Sequence, residues 1–223
     1  LMPWRSQVGS ILSLFLGGQA TGLAWAHVLF GDVSPSGRLP IMMPETEQDQ
    51  IPPSTEDNVV YSEGLATSYR NTSWKAAYPF GHGLSYTQFS YSAPQVAECP
   101  YQHYPSTPLL CIKSTVKNIG LRPSRTVPQL YLEFPPEAGQ PVAILKGFQK
   151  TAILQPQDSA EVNFPLTERD LSFWNQGWKR VNSATAHLAE SSGKFLSSVD
   201  IELSEVSTTS QPLSSAPTWS TTW

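Results

Sequence analysis

The sequence predicts a mainly β protein, a β-sandwich preceded by the helical remnant of a truncated α/β domain. Three observations carry that expectation. From Leu84 onwards apolar residues recur with period two, the spacing that lines one face of a strand. Prolines number 20 against 14 glycines, which favours strands and loops over long helices. Before that, Val8, Ile11, Leu12 and Phe15 follow the i, i+3, i+4, i+7 spacing of a helical stripe.

The N-terminal elements come first. The stripe predicts a helix over Val8–Leu16, with Gly17-Gly18 accepting the left-handed conformation of a C-cap. A second helix is predicted over about 20–30, where small residues (Ala20, Ala24) accompany Val28. Gly31-Asp32 and Pro35-Ser36-Gly37 then break the chain twice. Two helices without their sheet cannot bury both faces, so residues 1–44 read as the end of an α/β domain, and the opening Leu1 as a piece of something longer. Arg5, the apolar Val8–Leu16 stretch and Gly17–Ala20 also imitate a signal peptide, although the same residues fit a core helix better. Residues 45–83, with Pro52-Pro53 and the polar run Glu45–Asp57, read as an exposed linker.

Strands follow in residues 84–203. Ile112, Ser114 and Val116 alternate with Lys113, Thr115 and Lys117; Leu130, Leu132 and Phe134 alternate with Gln129, Tyr131 and Glu133. Val162, Phe164 and Leu166 repeat the pattern, and Val199, Ile201 and Leu203 close it. Short strands separated by turns argue a sandwich with one face of each sheet buried. Pro128 and Pro165 lack an amide donor, so their strands should lie at edges or carry bulges. Residues 204–223 hold thirteen Ser, Thr or Pro and read as a disordered tail or glycosylated stalk, with Trp219 and Trp223 exposed or stacked on a sugar.

Composition removes several function classes. The net charge is −4, from 14 basic and 18 acidic residues, with no basic cluster, so a nucleic-acid partner is not expected. Ile11–Leu16 is far shorter than the ~20 residues of a membrane span. Four histidines (His27, His82, His103, His187) show no ligand spacing, and neither a metal nor a cofactor is expected. Cys99 and Cys111 are close enough in sequence to close a short disulfide loop, or to be two buried free thiols. Asn71-Thr72-Ser73 is an N-glycosylation acceptor sequence. These last two features lean towards a secreted protein.

No complete catalytic site emerges. Gly81-His82-Gly83-Leu84-Ser85 has the outline of a nucleophile turn, but a glycine-rich bend entering a strand explains it with fewer assumptions. Glu168 and Asp170, two apart, would face the same side of a strand ~6.6 Å apart at Cα. That spacing is near the separation of an inverting glycosidase's carboxyls, yet the adjoining Leu171-Ser172-Phe173-Trp174 fits a solvated corner beside an apolar anchor. Glu63 with Tyr69-Arg70 forms either a sugar-binding polar cluster or a structural Arg–carboxylate pair, the second being preferred.

The wording of the sequence goes further. Val28-Leu29-Phe30-Gly31-Asp32 with Pro35-Ser36-Gly37-Arg38-Leu39-Pro40, then Glu63-Gly64, Tyr69-Arg70 and Tyr78-Pro79-Phe80-Gly81-His82-Gly83-Leu84-Ser85-Tyr86-Thr87, resembles glycoside hydrolase family 3, the β-glucosidases and β-xylosidases. The resemblance continues through Val116–Gly120, Gln129-Leu130-Tyr131, Leu145–Phe148 and Asp170–Trp174, over about residues 1–181. It departs at Ala20, where the family often has Glu, at Pro128 and Gln157, and over the last two strands near Ser183–Leu203.

The resemblance implies an immunoglobulin/fibronectin type III-like sandwich after the end of a second, α/β domain. It also implies a parent that hydrolyses terminal β-linked sugars. Retaining chemistry needs two carboxyls held ~5–5.5 Å apart, which the family places on domains without counterpart here, so no catalytic residue is carried over. The expected function is thus the C-terminal part of a β-glucosidase-like hydrolase, inactive alone. Its β-linked oligosaccharide or glucoside would be met through the missing domains. The alternative is a non-catalytic sandwich that binds a glycan or a partner.

Overall fold

In the computed structural model, residues 1–55, 57–100 and 106–203 are described. The readings made of His103, Trp219 and Trp223, and of the tail, fall outside them. One α-helix is followed by twelve strands: α1 (Thr21–Leu29), β1 (Met43–Pro44), β2 (Ala76–Tyr78), β3 (Phe89–Tyr91), β4 (Gln95–Ala97), β5 (Leu110–Asn118), β6 (Gln129–Glu133), β7 (Ile144–Phe148), β8 (Ser159–Leu166), β9 (Ser172–Trp174), β10 (Trp178–Arg180), β11 (Ser183–Ser191) and β12 (Lys194–Glu202). Two sheets face each other. One runs β12-β11-β6-β7; in the other, β5 pairs with β8 on one side and with β3 and β4 on the other. This is the predicted fibronectin type III-like sandwich.

Alternation builds its core. Ile112 and Phe164 are register partners, as are Leu130 with Leu188 and Leu132 with Ala186, and all six are at most 2% exposed. Burying each large side chain stabilises the fold by about 1.5–3 kcal/mol, so this inner layer dominates over any single polar contact. Ser114 shares the inward face and stays satisfied, its hydroxyl donating to the Ser92 carbonyl at 2.8 Å. Between sheets the fit is close: a Cβ on Gly147 would stand 3.0 Å from Phe164.

The prolines fall where their missing donors do little harm. Pro165 lies in β8, which pairs only with β5 and so forms a sheet edge. Pro128 precedes an interior strand, since β6 lies between β11 and β7, and the β6–β7 register shifts at Leu130/Tyr131. It stands one residue outside the strand and contributes its carbonyl, which accepts from the Gln149 amide at 3.2 Å. The last two strands, poorest in family resemblance, are among the longest, and β11–β12 zips from Ser183↔Glu202 to Ser191↔Lys194.

The N-terminal region corrects one expectation. No helix forms over Val8–Leu16; a 3₁₀ turn at Arg5–Gln7 is followed by irregular chain. Val8, Leu12 and Phe15 are 45%, 39% and 52% exposed, so the stripe has no sheet to pack on among the described residues. An isolated helix of about two and a half turns does not sustain itself in water. The second helix does form, as α1, yet none of its residues is buried.

The segment read as a linker is stitched at both ends. β1 pairs antiparallel with β2, Met43 opposite Tyr78. Thr46 and Asp49 form a capping box, and the Asp49 carboxylate also accepts from the Lys75 amide at 2.8 Å. The Thr46 hydroxyl and the Lys75 amide, in that order, hold the Asp49 carboxyl below the usual carboxylate range. Cys99 and Cys111 are joined by a disulfide, their Cα atoms 4.9 Å apart, which ties the loop after β4 to the start of β5.

The core assignment makes an unambiguous expectation. Phe164→Ala should cost about 3–5 kcal/mol in urea unfolding, whereas Thr115→Ala, on the outer face of β5, should change stability by under ~0.5 kcal/mol.

Candidate functional site

The strongest constellation is a junction, where the chain preceding the sandwich docks on the outer face of the β12-β11-β6-β7 sheet. Tyr131 points outward from β6, yet it is fully buried, because Tyr69, Phe80, Ala143, Leu145 and Ala189 close over it. Tyr69 stacks on Phe80 at 4.8 Å between ring centroids and meets Tyr131 edge-on at 6.0 Å. Its hydroxyl accepts from the Leu145 amide at 3.1 Å. Desolvation pushes the Tyr131 phenol well above its ordinary range, so it acts only as a neutral donor.

That donor has a specific task. The Tyr131 hydroxyl donates to Gln129 Oε1 at 2.7 Å, which fixes the amide so that Gln129 Nε2 faces two carbonyls. Nε2 donates to Gly81 O at 3.0 Å and to Glu190 O at 2.8 Å. The turn is held from its other side as well. The Gly81 amide donates to Leu39 O, and the Leu39 amide donates to His82 O, both at 2.8 Å. Gly81 has φ +79°, and a Cβ there would stand 2.2 Å from Gln129 Oε1, so conformation and contact both demand glycine. Gly83 is needed for a second close approach, since its Cβ would meet the Gly37 carbonyl at 2.5 Å.

Arg38 lies beneath this turn. Its Nη2 donates to Thr126 Oγ1 at 3.2 Å, while Nε and Nη1 are buried without a partner. Burial lowers its pKa, and the phenol of Tyr91 and carboxylate of Glu190 act in the opposite sense. His82 stacks on Tyr78, with centroids 5.5 Å apart. Its pKa is lowered by burial first and by the Arg38 charge second. A hydroxyl chain extends the junction: Ser85 Oγ lies 3.0 Å from Ser34 Oγ and 3.2 Å from Ser124 Oγ.

The sequence-derived candidates are thereby sorted. Gly81–Ser85 is a docking bend, since the Ser85 hydroxyl contacts serines and His82 stacks on a tyrosine. Glu168 and Asp170 do not share a strand face. They lie in the turn between β8 and β9, where Asp170 Oδ2 accepts from the Thr167 amide at 3.0 Å and its hydroxyl at 2.7 Å. That threonine-led turn is the solvated corner that the adjoining Leu171-Ser172-Phe173-Trp174 suggested. The preferred Glu63–Arg70 pair is absent from the ion pairs among the described residues. Tyr69 instead serves the junction core.

Asn71 is half-buried. Its Oδ1 accepts from the Ser73 amide and hydroxyl at 3.0 and 2.7 Å, and its Nδ2, the atom a glycan would occupy, donates to Ala66 O at 3.3 Å. His27 pairs with Asp32 at 3.1 Å and His187 with Glu133 at 2.9 Å. Among the described residues no group of His, Cys, Asp or Glu could hold a metal ion, and no helix is long and apolar enough to cross a membrane. A shallow groove of about 390 Å³ between β7 and β8 is lined by Lys146, Phe148, Asn163 and Phe164, with no carboxylate.

Gln129, Tyr131 and Arg38 had no role assigned from sequence. Their one signal was Gln129-Leu130-Tyr131-Leu132, in which the residues facing away from the core are an amide and an aromatic ring, as in a strand covered on both faces.

Two expectations follow. Gly81→Ala should destabilise the protein by about 2 kcal/mol or more in denaturant titration, because the side chain both strains φ and displaces the Gln129 amide. His82, with its depressed pKa, binds fewer protons folded than unfolded, so its contribution is present above the unfolded pKa of about 6.5 and is lost as pH falls below it. His82→Gln should flatten the decline in melting temperature between about pH 6.5 and 5, measured by scanning fluorimetry.

Comparison with known proteins places this geometry. The glycosyl hydrolase family 3 C-terminal domain matches residues 1–86, and the fibronectin type III-like domain matches residues 126–187. Thermostable beta-glucosidase B of Acetivibrio thermocellus is 37% identical over 182 residues, which is 78% of this chain and 24% of that protein. Probable beta-glucosidase J of Neosartorya fischeri is 38% identical over 190 residues, 79% of this chain and 22% of that protein. Among solved structures, the Bifidobacterium adolescentis GH3 beta-glucosidase superposes with a TM-score of 0.80 at 31% identity, over 98% of this chain and 33% of that one. Beta-glucosidase 3B from Thermotoga neapolitana, in complex with glucose, gives 0.79 at 32% identity, over 92% and 30%. The chain therefore spans about a quarter of the length of the curated relatives it matches. On the matched segments and the shared fold, this chain belongs to glycoside hydrolase family 3 and corresponds to the C-terminal region of its β-glucosidases.

Proposed function

We propose that the chain is the non-catalytic C-terminal part of a β-glucosidase-like hydrolase that removes terminal sugars from β-linked oligosaccharides or glucosides. The observation that carries this reading is α1 and the chain around it. No residue of the helix is buried, and Phe15, Leu23, Leu29 and Phe30 are 52–84% exposed. An apolar surface of that kind marks an interface. It is anchored to the sandwich at two points near its end: Tyr86 Oη donates to Val28 O at 2.8 Å, and Arg122 Nη1 donates to Gly31 O at 3.2 Å.

The sandwich then acts as a buttress. It holds the end of the α/β domain in one orientation, so that carboxylates supplied by the rest of the parent keep their spacing. Two carboxylates of this chain are committed to local structure. Asp170 is spent on its turn and Asp49 on a capping box. We also propose that the protein is secreted, supported by the Cys99–Cys111 disulfide, a bond that persists in oxidising compartments.

The test is a chimera. This chain replaces the matching C-terminal segment of the Acetivibrio thermocellus enzyme, and hydrolysis of an aryl β-glucoside is measured beside the purified chain alone. The chimera should be active and the isolated chain should stay at background. Hydrolysis by the isolated chain, abolished by changing one of its carboxylates, would overturn the reading.

A further inference from the structure

A pair of indoles remains unexplained by the junction. Trp174 on β9 and Trp178 on β10 are direct register partners, so both leave the hairpin on the same face. Their rings meet edge-on, 5.7 Å between centroids, and they stay 66% and 45% exposed. The opposite side of the hairpin is fixed in the core through Leu171, Phe173 and Val181, none more than 8% exposed. The rings are thus carried by a rigid base.

Polar groups surround them in an uncommitted state. The Arg169 guanidinium lies 4.2 Å from the Trp178 ring centroid, and among the described residues it makes no ion pair. Asn175 and Gln176 form the hairpin tip, closed by the Asn175 amide donating to Gly177 O at 2.9 Å; both side chains are exposed, and among the described residues neither has a hydrogen-bond partner. Gln176 has φ +55°, a conformation that glycine or asparagine would occupy with less strain. A cross-strand Trp pair stabilises a hairpin by its mutual contact. That role alone accounts neither for the extent of indole surface left in water nor for the free donors beside it.

From this we infer that Trp174, Trp178, Arg169 and the hairpin-tip amides form a carbohydrate platform for a β-linked gluco-oligosaccharide. The chemistry fits a pyranose with equatorial hydroxyls. Its axial C–H face packs on the exposed Trp174 ring, and its rim of hydroxyls accepts from the guanidinium and exchanges hydrogen bonds with the Asn175 and Gln176 amides. Arg169 covers Trp178, so Trp174 is the stacking ring and Trp178 its support. No carboxylate takes part, and the platform binds without cleaving. Its choice of ligand rests on the β-glucosidase reading, because it would keep the parent beside the chains whose ends it processes.

Affinity electrophoresis of the full chain in gels containing hydroxyethyl cellulose, with dextran as the α-linked control, tests the inference. The β-linked polymer should retard the protein and dextran should not. Trp174→Ala should weaken retention about tenfold or more, while Trp174→Phe retains most of it and Arg169→Gln has an intermediate effect. Melting temperatures of the variants separate loss of binding from loss of the hairpin. Absence of retardation, retardation of the Trp174→Ala variant equal to that of the parent sequence, or equal retardation in dextran overturns the platform. An inactive chimera with intact retention would discard the enzyme reading and leave the platform standing.

Discussion

One amide side chain fixes the arrangement of everything else. Gln129 Nε2 bridges the carbonyl of Gly81, before the sandwich begins, and that of Glu190 in β11, within it. A flexible side chain would do this poorly. Here the Tyr131 hydroxyl holds the amide oxygen at 2.7 Å, and both groups are buried, so no water competes for either partner. Each bond contributes about 1 kcal/mol net, but leaving the buried Gly81 carbonyl unpaired would cost about 1–3 kcal/mol. The clamp therefore specifies a single docking geometry more than it adds stability.

The sandwich has two cores because of this clamp. Its inner layer follows from period-two alternation and would exist without anything attached. The outer face of the β12-β11-β6-β7 sheet holds a second cluster around Tyr131, which has meaning only if Tyr69 and Phe80 arrive from the preceding chain. A fibronectin-like module that served merely as a spacer would keep that face polar. Burying it ties the sandwich to the preceding chain, and it explains why strand β6 reads as apolar on both sides over Leu130–Leu132.

Exposure is informative in the opposite sense at two places. Around α1 it is broad and carries Phe15, Leu23, Leu29 and Phe30, the signature of surface meant for protein. On the β9–β10 hairpin it is narrow, aromatic and rimmed by amides and a guanidinium, which suits a sugar ring better than a protein face. In the function we propose, the two surfaces divide the labour between assembly and sugar binding, and neither calls for a catalytic carboxylate in this chain.

Much of the fold was legible in the sequence. Alternation at Ile112–Val116, Leu130–Leu132 and Val162–Leu166 located three strands and their buried faces, since strand periodicity is a local property of pleated backbone. Family resemblance supplied the class of parent. The Val8–Phe15 stripe misled, because helical spacing states a preference that only a partner surface can fulfil, and none lies against it among the described residues. At Glu168–Asp170 the Thr167 hydroxyl and amide hold Asp170 in a turn beside buried Leu171, the corner that the adjoining apolar residues had suggested. What tertiary structure alone decided was the meaning of the polar and aromatic residues. Gln129 and Gly81 are 48 positions apart, and Tyr131 and Tyr69 are 62 apart, so their contacts have no local spacing to betray them. Residue order sets which faces are apolar; only folding brings a distant carbonyl to an amide and leaves two indoles uncovered.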